Sequence, residues 1–259
     1  MSDEDKHDGI SVFNKQANKQ NINIIPLIES CAQWVDPRTF AYLPIWYPEY
    51  HRRCVQMNAE YSAAYQINGA DKREANERGK TTLSKALYGK SKGEKNWTCC
   101  HIWGIDDESF VKPNSIVQDA RFYTNVANMV NLPTPLKAFT DCMQDIKNLL
   151  RLCSYFTYGF KCEVPKENIS QLDIFNSPLP DNYPKSWPRS LEESGSHITH
   201  SFNAAIKKQA DERFKQMKKD YLLHQNNHLY PKDRVKQALD YAYKFCSDES
   251  PLKLDPFWR

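Results

Sequence analysis

The sequence predicts an α+β fold, with a small core of two short strands and a helix set between mostly helical N- and C-terminal elaborations. Three observations predict it. The aromatic, cysteine-rich run Trp97–Trp103 is β-favouring and is stopped by Gly104, Ile105, Asp106 and Asp107. A second short strand is plausible at Asn128–Leu132; it ends at Pro133, and Thr134 and Pro135 suit the N-cap and first position of a following helix. Toward the C-terminus, apolar residues recur at helical spacing.

A chain of 259 residues, 40% of them hydrophobic, can bury a genuine core, although a mean hydropathy of -0.73 is polar for that size. The net charge of +3 permits a polyanionic partner without demanding one. The acidic start, MSDEDKHDG, has no basic or apolar signal region, and no apolar stretch approaches the ~18 residues of a membrane span. A cytoplasmic protein with no membrane partner is expected. Eight cysteines without a CxxC pair then read as free, mostly buried thiols, and the sequons at Asn96 and Asn168 carry no weight.

In chain order, residues 1–95 form a mostly helical part that turns basic toward its end, 96–150 the core, and 151–259 a Pro-rich excursion followed by helices that pack on the core. Met1 to about Asn23 is polar and reads as a loose arm or a poorly anchored first helix. The aromatic, proline-punctuated stretch after it suggests irregular packed structure leading into a helix near Tyr50–Gln66. Between Lys72 and Lys95 stand eight Lys or Arg against three Glu. Gly79–Thr82 reads GKTT, but a phosphate loop needs glycine where Glu74 stands and an apolar strand before it, so that reading is rejected. The segment is otherwise a solvated helical face and loop.

The stretch from Cys162 to Ser196 is rich in Pro, Asn and Ser and reads as a surface excursion. A helix follows, with Ile198, Phe202, Ile206, Ala210, Phe214, Met217 and Tyr221 on its apolar stripe and Lys207, Lys208, Arg213, Lys215, Lys218 and Lys219 on a basic face. Pro231 opens a second helix with Val235, Leu239, Ala242 and Cys246 inward. No internal repeat is visible.

Chemistry concentrates in the core. His101 sits near a strand's end, Asn128 opens the second strand, and Lys137 and Asp141 lie one turn apart on the helix. A histidine so placed can take a proton from water, an asparagine can orient the imidazole, and a carboxylate can hold a hard cation beside a phosphate.

CHIWG, then D-x-R-F-Y-T-x-x-A-N-M-V-N-L-P, then T-D, resembles the HNH endonuclease superfamily, whose core is the ββα-metal fold; the likeness covers about Asn96 to Asp141. It implies a metal-dependent endonuclease with His101 as general base and Asn128 as the asparagine of the family name. It also implies Arg121 near the scissile phosphate, a role that its planar donor fork suits. Family metal positions fall on Cys100, Lys137 and Asp141. Asp141 suits a hard cation, whereas Cys100 is soft and Lys137 has no lone pair when charged, and Asp119, Asp106 or Asp107 could complete the shell. Mg²⁺ or another divalent ion is the expected cofactor.

Lys80, Lys85, Lys90, Lys92 and Lys95 are the expected phosphate contacts, and Lys137 could instead neutralise the phosphate. DNA is expected before RNA, and a restriction or defence role follows by analogy; a palindromic cutter would be a homodimer. The alternatives are an RNA-cleaving or strand-nicking enzyme, and a noncatalytic nucleic-acid-binding protein with a degraded site. Structural Zn²⁺ from Cys99, Cys100 and Cys142 with Cys31 or Cys54 is disfavoured without a paired CxxC. The pairs His197/His200 and His224/His228 read as surface residues.

Overall fold

The computed structural model describes residues 8–50, 64–67, 70–73, 76–104, 116, 119–162, 173–193, 197–224 and 230–258. Helix α1 (Gly9–Lys19) starts where Asp8 accepts a hydrogen bond from the Ser11 amide at 2.8 Å, and buries only Ala17, as a poorly anchored first helix should. Two short helices follow, α2 (Ile25–Cys31) and α3 (Pro37–Tyr42). Asp36 caps α3 by accepting from the Arg38 amide at 2.8 Å, with Pro37 at its first position. Its carboxylate also accepts from the Phe202 amide at 2.8 Å, which ties the N-terminal part to the segment before the late helices.

Where a helix was expected to end near Gln66, Ala64–Ile67 is instead β1, paired antiparallel with β2 (Ala70–Arg73); most of that expected helix lies outside the described residues. Helix α4 (Asn76–Tyr88) carries the GKTT tetrad in its interior. Gly89 follows it at φ +67°, and a Cβ there would stand 2.7–2.9 Å from Ala205 and Ile206 atoms, so this junction admits only glycine.

β3 (Trp97–His101) pairs antiparallel with β4 (Met129–Pro133), in the register Trp97 with Pro133, Cys99 with Asn131 and His101 with Met129. β3 stops two residues short of Trp103, and Asn128 is the last residue of a 3-10 turn rather than the first of the strand. The expected cap at Thr134 is also absent. Thr134 begins a further 3-10 turn and its hydroxyl meets that of Thr98 at 2.8 Å, so α5 (Lys137–Cys142) starts one turn later without a side-chain cap.

Helix α6 (Gln144–Tyr158), which the sequence reading did not anticipate, is amphipathic and buries Ile146, Leu149, Leu150 and Cys153; the boundary drawn at residue 150 falls inside it. Turns and one 3-10 helix (Asp173–Phe175) fill the described part of the Pro-rich excursion. Asn203 then caps α7 (Ala204–Leu223), which leaves Ile198 and Phe202 ahead of the helix. Arg213, assigned to its basic face, is buried: its guanidinium bonds to Glu49 and to the Trp46 carbonyl. Helix α8 (Lys232–Tyr243) buries Val235, Ala238, Leu239 and Ala242, and α9 (Pro251–Leu254) is followed by a 3-10 turn, Pro256–Trp258, at the end of the described chain.

One hydrophobic cluster runs from Ile28 to Leu252, with Trp34, Trp46, Trp103, Phe122 and Phe160 among its fully buried side chains. No described helix is long and apolar enough to cross a membrane.

Candidate functional site

Successive residues of a strand point to opposite faces, so the β3–β4 ribbon divides the sequence-predicted residues into two sets. Trp97, Cys99 and His101 share one face with Met129 and Asn131, and α4 covers it. The covering is close: a Cβ on Gly79 would lie 3.4 Å from the Cys99 Sγ and 3.4 Å from the His101 Cε1. Cys100 faces the other way, toward Thr140, Lys137 and Asp141 of α5.

His101 is half-buried, with its ring stacked on Tyr123 at 5.0 Å between centroids and 20° between planes. Its Nε2 donates to the Tyr123 carbonyl oxygen at 2.9 Å, since a carbonyl can only accept. That bond places the lone pair of the neutral imidazole on Nδ1.

Asn128 is fully buried and grips the chain just beyond His101. Its Oδ1 accepts from the Trp103 amide at 2.8 Å, and its Nδ2 donates to the carbonyls of Trp103 at 3.3 Å and Phe122 at 3.2 Å. Its own carbonyl accepts from the Ile102 amide at 3.0 Å. The side chain therefore orients the backbone that leads out of β3 and does not touch the imidazole through any of these bonds.

Arg121 and Asp119 are joined to each other. The Arg121 Nη2 lies 2.6 Å from Asp119 Oδ2, the guanidinium stacks over Phe122, and the side chain is 14% exposed. Asp119 is thereby committed to a cation the protein already carries.

On the α5 face, Cys100, Lys137 and Asp141 do converge, but their chemistry does not suit a hard divalent cation. Burial pushes the Cys100 thiol up to about 11, so it is protonated at neutral pH. Lys137 brings a positive charge, and its Nζ lies 2.9 Å from Asp141 Oδ2, with both side chains about half exposed. One carboxylate already paired with an ammonium is too little for an ion that wants six oxygens. Among the described residues, no three His, Cys, Asp or Glu gather to hold a metal; Asp106, Asp107 and Cys54 lie outside them.

Of the remaining metal-capable residues, Cys142 is exposed while Cys99 and Cys100 face apart, so those three do not form a zinc cluster. His197, read as a surface residue, is 6% exposed, with its Nε2 2.9 Å from the Thr157 Oγ1 and its ring edge-on to Trp34. His200 packs edge-on against Tyr88, His224 stacks on Tyr230, and His228 lies outside the described residues.

The basic residues are likewise divided. Lys80, Lys85, Lys90, Lys92 and Lys95 lie along α4 and the loop leading into β3, with Lys90 paired to Glu94 at 2.5 Å, whereas Lys137 stands on the opposite side of the ribbon. Sequence reasoning missed the residues between them, Ser84, Tyr88 and Asn131, which line a cavity against Trp97 and Cys99. Strand alternation from His101 back through Cys99 to Trp97 was the available signal.

Compared with known proteins, the chain matches no family model, no curated protein and no solved structure.

Proposed function

We propose that the chain hydrolyses phosphodiester bonds in nucleic acid, DNA before RNA, as a nuclease of the HNH type, built on a ββα core from β3, β4 and α5. The observation that carries this reading is the setting of His101, a strand-end imidazole whose Nε2 is anchored on the Tyr123 carbonyl. With that nitrogen donating, Nδ1 is the basic atom that would draw a proton from the attacking water. Asn128 acts at one remove, by holding the backbone around Trp103 and Phe122 that frames the imidazole. Lys80, on the same side of the ribbon, supplies a cation for the phosphate. No step is assigned to a metal held by Cys100, Lys137 and Asp141.

A second reading, a noncatalytic nucleic-acid-binding protein on the same scaffold, is favoured by the thiol and ammonium at the family's metal positions. Plasmid and RNA cleavage with Mg²⁺, Mn²⁺ or EDTA, together with a gel-shift measurement, separates the two. Cutting by the wild type that falls at least about a hundredfold in His101→Ala, with binding retained, supports the nuclease. Binding without cutting by the wild type in every arm overturns it in favour of the second reading.

A further inference from the structure

Between α4 and the Trp97–Cys99 side of the ribbon lies a cavity of ≈ 230 Å³. It is smaller than the roughly 300–1,000 Å³ of sites for drug-sized ligands, and so has room for one ring system and none for a duplex. Trp97 lines it from the strand and Tyr88 from the helix. Burial holds the Cys99 thiol well above its ordinary range, which leaves that part of the wall uncharged.

Two polar atoms in the lining are unused. Ser84 is 2% exposed, and its Oγ has no hydrogen-bond partner among the described residues, a costly state for a buried hydroxyl. Asn131 donates from Nδ2 to Gln33 Oε1 at 2.8 Å and to the Tyr88 hydroxyl at 3.1 Å, which fixes the amide with Oδ1 as its remaining acceptor. Lys80 adds an exposed ammonium to the rim. Aromatic walls, a buried hydroxyl, a fixed carbonyl oxygen and a peripheral cation together describe a receptor for a planar heterocycle attached to a phosphate.

We propose that this cleft binds a single unpaired nucleobase of the nucleic-acid strand, its ring against Trp97 and Tyr88, its N–H edge toward Asn131 Oδ1 and Ser84 Oγ, and its phosphate toward Lys80. The choice of a nucleotide rests on the nucleic-acid reading above. Cys99 and His101 are two residues apart on one strand face, about 7 Å, so a base held here sets an adjoining phosphate beside the imidazole. The substrate is then a single-stranded or locally opened segment.

The test is calorimetric titration of the full chain with AMP, CMP, GMP and UMP, and with ribose 5-phosphate as the baseless control. Gly93→Leu and Trp97→Leu serve as variants. Gly93 lies in the exposed loop 3.8 Å from Ser84 Oγ by its would-be Cβ, so a leucine there plugs the cavity without forcing backbone apart. Trp97→Leu removes the stacking surface.

At least one mononucleotide should bind at least about tenfold more tightly than ribose 5-phosphate, and each variant should lose about tenfold or more at an unchanged thermal midpoint. Absence of nucleotide binding, equal binding of the baseless phosphate, or unchanged affinity in a folded Gly93→Leu protein overturns the proposal. Nothing is cut in this titration. Its failure therefore removes the base pocket and leaves the cleavage assay with His101→Ala to decide the nuclease reading.

Discussion

Asn128 shows how one side chain can fix the backbone around a residue it does not bond. Its amide satisfies the Trp103 amide and the carbonyls of Trp103 and Phe122, all in a region closed to water. Asn128→Ala strands these groups without replacing them, and unfolding in urea is expected to show a loss of about 2–4 kcal/mol. Asp141→Asn, by contrast, removes only an exposed pair with Lys137, and the same measurement should move by less than about 0.5 kcal/mol. The type of residue at 101 and 128 was legible in the sequence, but their division of labour was not. An asparagine that aligns an imidazole and one that clamps the backbone beside it look identical as a letter, because the difference lies in which carbonyls the fold brings within 3.3 Å.

At the scale of an element, α4 is defined by where it must come close. A helix-interior glycine usually costs about 1 kcal/mol relative to alanine, yet Gly79 faces Cys99 and His101 at a Cβ distance of 3.4 Å, the edge of ordinary contact. Gly79→Ala should therefore be neutral or stabilising by up to about 1 kcal/mol in thermal denaturation, whereas Gly79→Leu should cost about 1–3 kcal/mol by driving the helix off the ribbon. The strands β3 and β4 were readable to within two residues because β-favouring runs and their breakers coincide there. The start of α5 was not, since Thr134 found a partner in Thr98 across the ribbon, a competitor that local capping rules cannot see. Helix α6 was less legible although its apolar spacing is present, because no side-chain cap marks its start after Met143.

For the whole molecule, stability is set by buried polar groups that join distant parts of the chain. Arg213 on α7 reaches Glu49, and His197 sits between Thr157 and Trp34. Neither was legible, since helical spacing placed Arg213 among lysines and the polar surroundings of His197 suggested a surface; burial depends on partners far away in sequence. Burial lowers His197 from its ordinary 6.5 to about 4. As pH falls through 6.5 the unfolded chain takes a proton that the folded chain refuses, so stability declines from about pH 6.5 down to about 4, by up to about 3 kcal/mol, and this contribution levels off below. His197→Phe should remove that decline from the variant's own profile, so the difference between wild-type and variant stabilities, from denaturation curves recorded across the window, should shrink as pH falls. The ribbon carries a global consequence of its own. With Asn131 and Met129 on one side and Val130 and Leu132 on the other, a single-step slip of β4 would put an aliphatic side chain where Asn131 lines the cavity and turn Asn131 to the opposite face. The backbone bridge from Gln33 to Asn131, at 2.9 and 3.1 Å, is the latch that forbids that misthreading, and the Gln33 side chain holds the Asn131 amide as well, so one residue guards both the alignment and the lining.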